Sequence, residues 1–173
     1  LPQVDAIELH TPTAQPADRG GWYLTDDHAV PRKFRIPPGT VLAPGAYALF
    51  DERDFNANPG GDPGFNLSSH GEEVYLYSAD TAGNLTGYSA GFSFGAAANG
   101  VTFGRYTDSV GEVQFPAQRQ NTVGAPNAGP RVGPIVINEI RYQPLSGDEE
   151  FVELYNARAV IEFTTLGARL RAV

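Results

Sequence analysis

The side chains with the widest chemical repertoire are sparse in this sequence. It holds 3 His and no Cys. His10, His28 and His70 stand at neither HxH nor HxxxH spacing, so no local pair shares a metal ion. The lack of Cys excludes disulfides, thiolate nucleophiles and Cys-ligated zinc. Ser68-Ser69-His70 places hydroxyls beside an imidazole. Neighbours on a strand point to opposite faces, however, and there is no Gly-x-Ser-x-Gly elbow. The carboxylate neighbours Asp26/Asp27, Glu72/Glu73 and Glu149/Glu150 read as solvated loop residues. A glycosidase needs two carboxylates held across a cleft. Gly91 to Gly104 is Gly-rich but lacks a Gly-Lys-Ser/Thr and a following helix, so it is no phosphate loop. No catalytic residue and no cofactor are expected, and the chain is read as a non-enzyme.

One loop has the composition of a cation site. In Asp51 to Asp62, the side chains of Asp54, Asn56, Asn58 and Asp62 offer oxygens at alternate positions, like the first part of a calcium loop. Calcium takes ~6–8 oxygens and, in such loops, a late bidentate Glu. Pro59 stands where the tight-turn Gly would be, and Phe65 where the Glu would be. The loop is not an EF-hand. A plain polar loop is the preferred reading, with these four residues as the calcium candidate.

The aromatic residues suggest a different chemistry. Phe92, Phe94, Phe103, Tyr106 and Phe115 recur along consecutive strand-like segments, as do Tyr75 and Tyr77. One set must face a core. If another forms an exposed strip, it can stack on sugar rings or on a peptide.

The elements that must position these residues are strands. Short β-branched or aromatic runs occur at Val4 to Leu9, Trp22 to Leu24, Lys33 to Ile36, Tyr47 to Phe50, Glu73 to Tyr77, Tyr88 to Phe94, Val101 to Tyr106 and Val113 to Phe115. Turn chemistry separates them: Pro37-Pro38-Gly39-Thr40, Ala43-Pro44-Gly45, Asn58 to Gly64, and Asn99-Gly100. The last predicts a hairpin between aromatic-rich runs. Gly39 and Gly45 are expected at tight corners, with Pro38 and Pro44 pre-setting φ. No segment keeps a 3.6-residue apolar period over a helix length. Ser69-x-x-Glu72 has capping-box spacing, but the strand-like Val74 to Tyr77 follows, so no helix is expected there. Trp22, the only Trp, is expected as a buried core anchor on its strand. Glu8 and Glu153 should face outward between buried neighbours.

Composition agrees with a turn-rich all-β protein. Of 173 residues, 20 are Gly and 14 Pro, while 41% are hydrophobic and 18% charged. A net charge of −8 repels phosphate backbones, so nucleic acid is not an expected partner. No apolar run approaches the ~18 residues of a membrane helix, so no membrane span is expected. There is no Met, and the chain starts Leu-Pro-Gln, which predicts an internal fragment of something longer.

Two sequence blocks recur about a domain length apart. Asp5-Ala6-Ile7-Glu8-Leu9-His10 is echoed by Glu150-Phe151-Val152-Glu153-Leu154-Tyr155, and Gly21-Trp22-Tyr23-Leu24 by Gly167-Ala168-Arg169-Leu170. This predicts a tandem repeat. Residues 1–128 form a β-sandwich lacking its first strand, and 129–134 form a Gly/Pro linker. Residues 135–173 supply the first three strands of a following repeat. The strand Ile135 to Tyr142 is expected to complete a sandwich, in cis or by swapping between chains. Phe151 to Tyr155 is then expected to pair at a free edge or with another chain. A domain-swapped or strand-paired homodimer is the expected assembly.

These blocks resemble the lamin tail domain family, in its bacterial tandem-repeat type. The resemblance rests on Ile135-Val136-Ile137-Asn138-Glu139-Ile140 and on Glu150 to Asn156. It continues in Gly21-Trp22-Tyr23-Leu24, in Pro38-Gly39-Thr40-Val41-Leu42-Ala43-Pro44-Gly45, in Tyr47 to Phe50, in Leu67 to Leu76 and in Gly124-Ala125-Pro126-Asn127. It covers residues 5–127 as one copy and 135 to about 170 as the start of another. His10 stands where Asn is usual, and Ala168 where Trp is usual. The resemblance implies an immunoglobulin-like β-sandwich of antiparallel Greek-key sheets. It also implies a non-catalytic interaction or spacer role in a larger, exported multidomain protein. Low charge, an acidic balance and Gly/Asn/Thr-rich loops suit an extracellular or cell-surface location. A protein or a surface polymer is the expected partner. The alternative is a ligand-binding module, for carbohydrate or calcium, accessory to a catalytic domain elsewhere in the parent chain.

Overall fold

A computed structural model describes residues 4–61, 64–133, 135–156, 159–164 and 167–171. The chain is all-β, built of antiparallel pairs. It divides into two units, Leu1–Pro130 and Arg131–Val173. Among the described residues, no helix is long and apolar enough to cross a membrane.

In the first unit, β1 (Ala6–His10) pairs with β6 (Tyr47–Asp51), Ile7 lying opposite Phe50. A four-stranded sheet runs β4 (Phe34–Arg35), β3 (Tyr23–Thr25), β7 (Gly71–Ala79), β8 (Leu85–Gly95). The core joins the ribbon to one face of this sheet: Ile7, Leu24, Ile36, Phe50, Phe55, Phe65 and Val74 are buried together. Leu24 and Ile36 are fully shielded from solvent. Burying such a side chain contributes ~1.5–3 kcal/mol. Phe55 stacks on Phe65 with centroids 4.5 Å apart.

Smaller pieces complete the unit. β2 (Ala17–Asp18) pairs with β5 (Val41–Leu42), and β9 (Tyr106–Thr107) with β10 (Val113–Gln114). The two Pro-Gly corners are β-turns with Gly39 and Gly45 at φ 77 and 71. Thr40 N donates to Pro37 O at 3.3 Å, and Ala46 N to Ala43 O at 3.0 Å. Pro at the first central position and a positive-φ Gly at the second suit this geometry. Glu8 is half-buried, and its Oε2 accepts from Gly124 N at 2.6 Å, tying the first strand to a loop near the end of the unit.

Four local expectations are corrected. Asn99-Gly100 makes a turn, with Val101 N donating to Ala98 O at 3.2 Å, but not a hairpin. The hairpin partner of β8 is β7, and the reversal lies at Asp80–Asn84, where Asp80 Oδ1 accepts from Asn84 N at 2.8 Å. Val101 to Tyr106 is not one strand: Phe103 makes an isolated bridge to Ala117, and only Tyr106 enters β9. Trp22 is half-buried: it packs against the core cluster from its edge without being sunk in it. Arg19 lies 4.3 Å over its ring, and Tyr88 is 5.7 Å away. Finally, the loop from Asp51 begins with one helical turn, α1 (Glu52–Phe55), capped by Asp51.

The second unit is a four-stranded meander. β11 (Ile135–Arg141), β12 (Phe151–Asn156), β13 (Ala159–Thr164) and β14 (Gly167–Arg171) pair in chain order. Three strands were expected from the repeat, and four form among the described residues. β12, expected at a free edge or on another chain, instead lies between β11 and β13. Side chains on one strand find partners along the adjacent one, so Asn138 bonds Glu153, and Arg141 pairs with Asp148 at the turn. Each echoed block overlaps a strand: Asp5 to His10 overlaps β1, Glu150 to Tyr155 β12, Gly21 to Leu24 β3 and Gly167 to Leu170 β14.

Candidate functional site

The register of β3, β7 and β8 sorts their side chains onto two faces. Leu24 lies opposite Leu76, Leu76 opposite Ala90, and Val74 opposite Phe92. This set turns toward the core. Phe92 stacks flat on Phe115 at 3.8 Å, and Phe94 lies 5.2 Å from Phe103, so most of that aromatic series is packing. The opposite face carries Tyr75 and Tyr77, with Gly91 and Ser89 as their cross-strand neighbours on β8.

On this face the two tyrosines, both half-buried, form a strip. Their ring centroids are 6.1 Å apart. His28, an exposed residue of the turn after β3, lies 5.9 Å from Tyr75. Gly91 is the floor that lets Tyr75 lie down: a Cβ there would sit 2.2 Å from Tyr75 Cδ1. A bulky aromatic ring across from a strand glycine covers backbone that would otherwise face water.

Hydrogen bonds hold the strip. Glu73 Oε2 accepts from the Tyr75 hydroxyl at 3.1 Å, and Glu73 Oε1 accepts from His28 N at 3.1 Å. The Tyr77 hydroxyl donates to His28 O at 3.3 Å. The turn bearing His28 is pinned from below by Thr25, which is fully buried. Its hydroxyl donates to Val30 O at 2.8 Å and accepts from Asp27 N at 3.1 Å. Lys33 pairs with Asp26 at 2.6 Å beside it. Lost hydration raises the Tyr75 pKa above the ordinary phenol value, and the hydrogen bond and charge of Glu73 push the same way.

Chemically, this face offers π surface, two phenolic groups and one carboxylate. Such a set can stack on the apolar face of a ring or a planar peptide group. Sequence alternation picks out Tyr75 and Tyr77. It misses His28, which arrives from a separate turn, and Gly91, whose role needs the β7–β8 register.

The calcium candidate is only partly assembled. Asp54 Oδ2 accepts from Asp51 N at 2.9 Å as the third helical residue of a capping box. Asn56 Nδ2 donates to Glu52 Oε1 at 3.3 Å. Asn58 is exposed, and Asp62 lies outside the described residues. Among the described residues, no group of three His, Asp or Glu side chains is placed to hold a metal ion. Phe34, Phe55, Lys33, Arg35 and Asp54 line a cleft of about 160 Å³ next to this loop. The histidines lie apart: His10 stacks on Tyr47 at 4.5 Å, His28 joins Tyr75, and the backbone of His70 bonds Ser68 Oγ. No family model, no curated protein and no solved structure matches this chain.

Proposed function

We propose that the chain is a non-catalytic interaction or spacer module of a larger, exported protein, built on an immunoglobulin-like sandwich of the lamin tail kind. The family resemblance of the Gly-Trp strand, the two Pro-Gly corners and the Ile135 to Ile140 block supports this reading. The observation that carries it is the outer strip of Tyr75, Tyr77 and His28, fixed by Glu73 and by the buried Thr25. A rigid aromatic surface loses little side-chain entropy on contact, which suits recognition. The second reading, a module that binds carbohydrate, is favoured by the same strip, because tyrosine faces stack on the apolar faces of pyranose rings. Affinity electrophoresis of the full chain through gels holding soluble glucans or xylans separates the two. Retardation that Tyr77→Ala abolishes selects the carbohydrate module. Unchanged mobility in every gel leaves the protein-interaction reading. Turnover of nitrophenyl esters, phosphates or glycosides that co-purifies with the chain overturns both.

A further inference from the structure

We propose that β8 is a self-pairing edge, and that two copies of this chain join antiparallel through it about a two-fold axis at Ala90. This inference is independent of the aromatic strip. β8 is the terminal strand of its sheet and runs 11 residues. Among the described residues, its hydrogen bonds run to β7, including those of Thr86 and Tyr88 to Ser78 Oγ. The far edge is a row of free backbone donors and acceptors. Natural edges of this length are blunted with Lys, with Pro or with inward-pointing charge. Here no charged residue and no proline occurs from Thr81 to Gly104, in a chain of net charge −8.

Charge leaves one place for a second copy, and the strand's own sequence fits it there. Two copies repel over most of their surfaces, and the longest uncharged strand is where they can meet. The strand also matches itself. Around Ala90, antiparallel pairing sets Tyr88 opposite Phe92 of the second copy, and Ser89 opposite Gly91. On one face the seam then carries a cross-strand aromatic pair, and on the other Ser89 and Gly91 meet their counterparts with nothing bulky between them. Tyr88 is 56% exposed in the single chain, so it gains a neighbour on pairing. The smallest side chain of the aromatic face lies on the axis, where a residue must oppose its own copy.

The test uses the full chain, which has no native Cys. Directly opposed residues of an antiparallel pair have Cα atoms ~4.5–5.5 Å apart, inside disulfide range. Mild oxidation of Ala90→Cys is expected to give a covalent dimer, and Leu85→Cys is expected to give none. In sedimentation at ~100 µM, wild type is expected as a dimer that tightens with added salt, as screening of like charge requires. Ser89→Lys is expected to be monomeric with an unchanged melting curve at high dilution. A wild-type monomer at that concentration overturns the proposal. So does a dimer that Ser89→Lys leaves intact, or one in which Ala90→Cys fails to cross-link, because either places the contact elsewhere, such as at exchanged β11 strands.

Discussion

Replacing Gly91 with Ala tests the packing of the outer face at one methyl group. The added Cβ would lie 2.2 Å from Tyr75 Cδ1, 2.5 Å from Val74 O and 2.8 Å from Tyr75 Cε1. The ring can swing aside, but the Val74 carbonyl belongs to β7 and cannot move without disturbing its ladder. Overpacking of this kind costs ~1–3 kcal/mol. Alanine recovers ~0.5–1 kcal/mol relative to glycine within a strand. The expected net loss is about 1–2 kcal/mol. With an m-value of ~1–3 kcal/mol/M in urea, the midpoint falls by roughly 1 M. Gly95→Ala is the matched control: the same strand, a backbone any residue adopts, and nothing within 4 Å of the new methyl. It should be neutral or slightly stabilising. Trp22 is the only Trp and sits in the first unit, so its fluorescence reads that unit alone. Equal urea midpoints for the two variants would refute the assignment of Tyr75 to the floor at Gly91. A Gly91→Ala variant restored to the wild-type midpoint by Tyr75→Ala would mean that the ring, and not the β7 carbonyl, is the barrier.

Leu24→Ala removes a fully buried side chain and should cost about 3 kcal/mol by urea unfolding; a loss under ~1 kcal/mol would show that the core closes over the gap. Thr25→Val keeps the shape but strips the Val30 carbonyl and the Asp27 amide of their partner, for an expected loss of ~1–3 kcal/mol. The same variant should broaden the His28 resonances, and a silent NMR spectrum there would argue against the pinned turn. Asp51 and Asp80 have lowered pKa values, Asp51 through its bonds with Arg53 and Asp80 through those with Asn84. Their contribution is therefore present above the unfolded carboxylate value of ~3.9 and is lost as pH falls through the folded values. Melting temperature should drop in that acid window, and the Asp51→Asn, Asp80→Asn double variant should flatten the drop. Melting curves in EDTA and in millimolar calcium should coincide, because the Asp54 carboxylate already caps α1 on the Asp51 amide and Asn56 is turned to the Glu52 carboxylate; an upward shift with calcium would show that the loop reorganises to bind.

Most strands were legible in the sequence because period-2 alternation and turn residues are local signals. β1, β6, β7 and β8 lie within a few residues of the alternating runs that predict them. What escaped depends on partners far along the chain. Asn99-Gly100 has ideal hairpin chemistry, yet β8 is claimed by β7 on one side, and the segment after the turn bridges Ala117. Asp51-x-x-Asp54 is a capping box written with two acids, outside the usual Ser/Thr-x-x-Glu/Gln pattern, although Phe55 just after it is nearly fully buried. Trp22 shows the limit of type alone: it packs against the core as expected, yet its outer side is covered only by Arg19 and Tyr88, so it stays half-buried. At the outer strip, Tyr75 and Tyr77 were visible by parity. His28 and Glu73 were not, since a bond between residues 28 and 73 exists only once β3 and β7 are side by side.

The bond from Gly124 N to Glu8 spans 116 positions, and β1 waits some forty residues for β6. The β7–β8 reversal, by contrast, closes over Asp80–Asn84. A chain emerging from the ribosome therefore holds β1 without a mate while the intervening residues are made. The hairpin forms on the ~1–10 µs scale once both its strands are out, whereas the distant pairings must first close long loops. Refolding of the first unit belongs in the millisecond-to-second range of non-local β folds. In that interval the unpaired β1 is what a protease or a chaperone meets, and the Glu8 latch has to wait for Gly124 to be made.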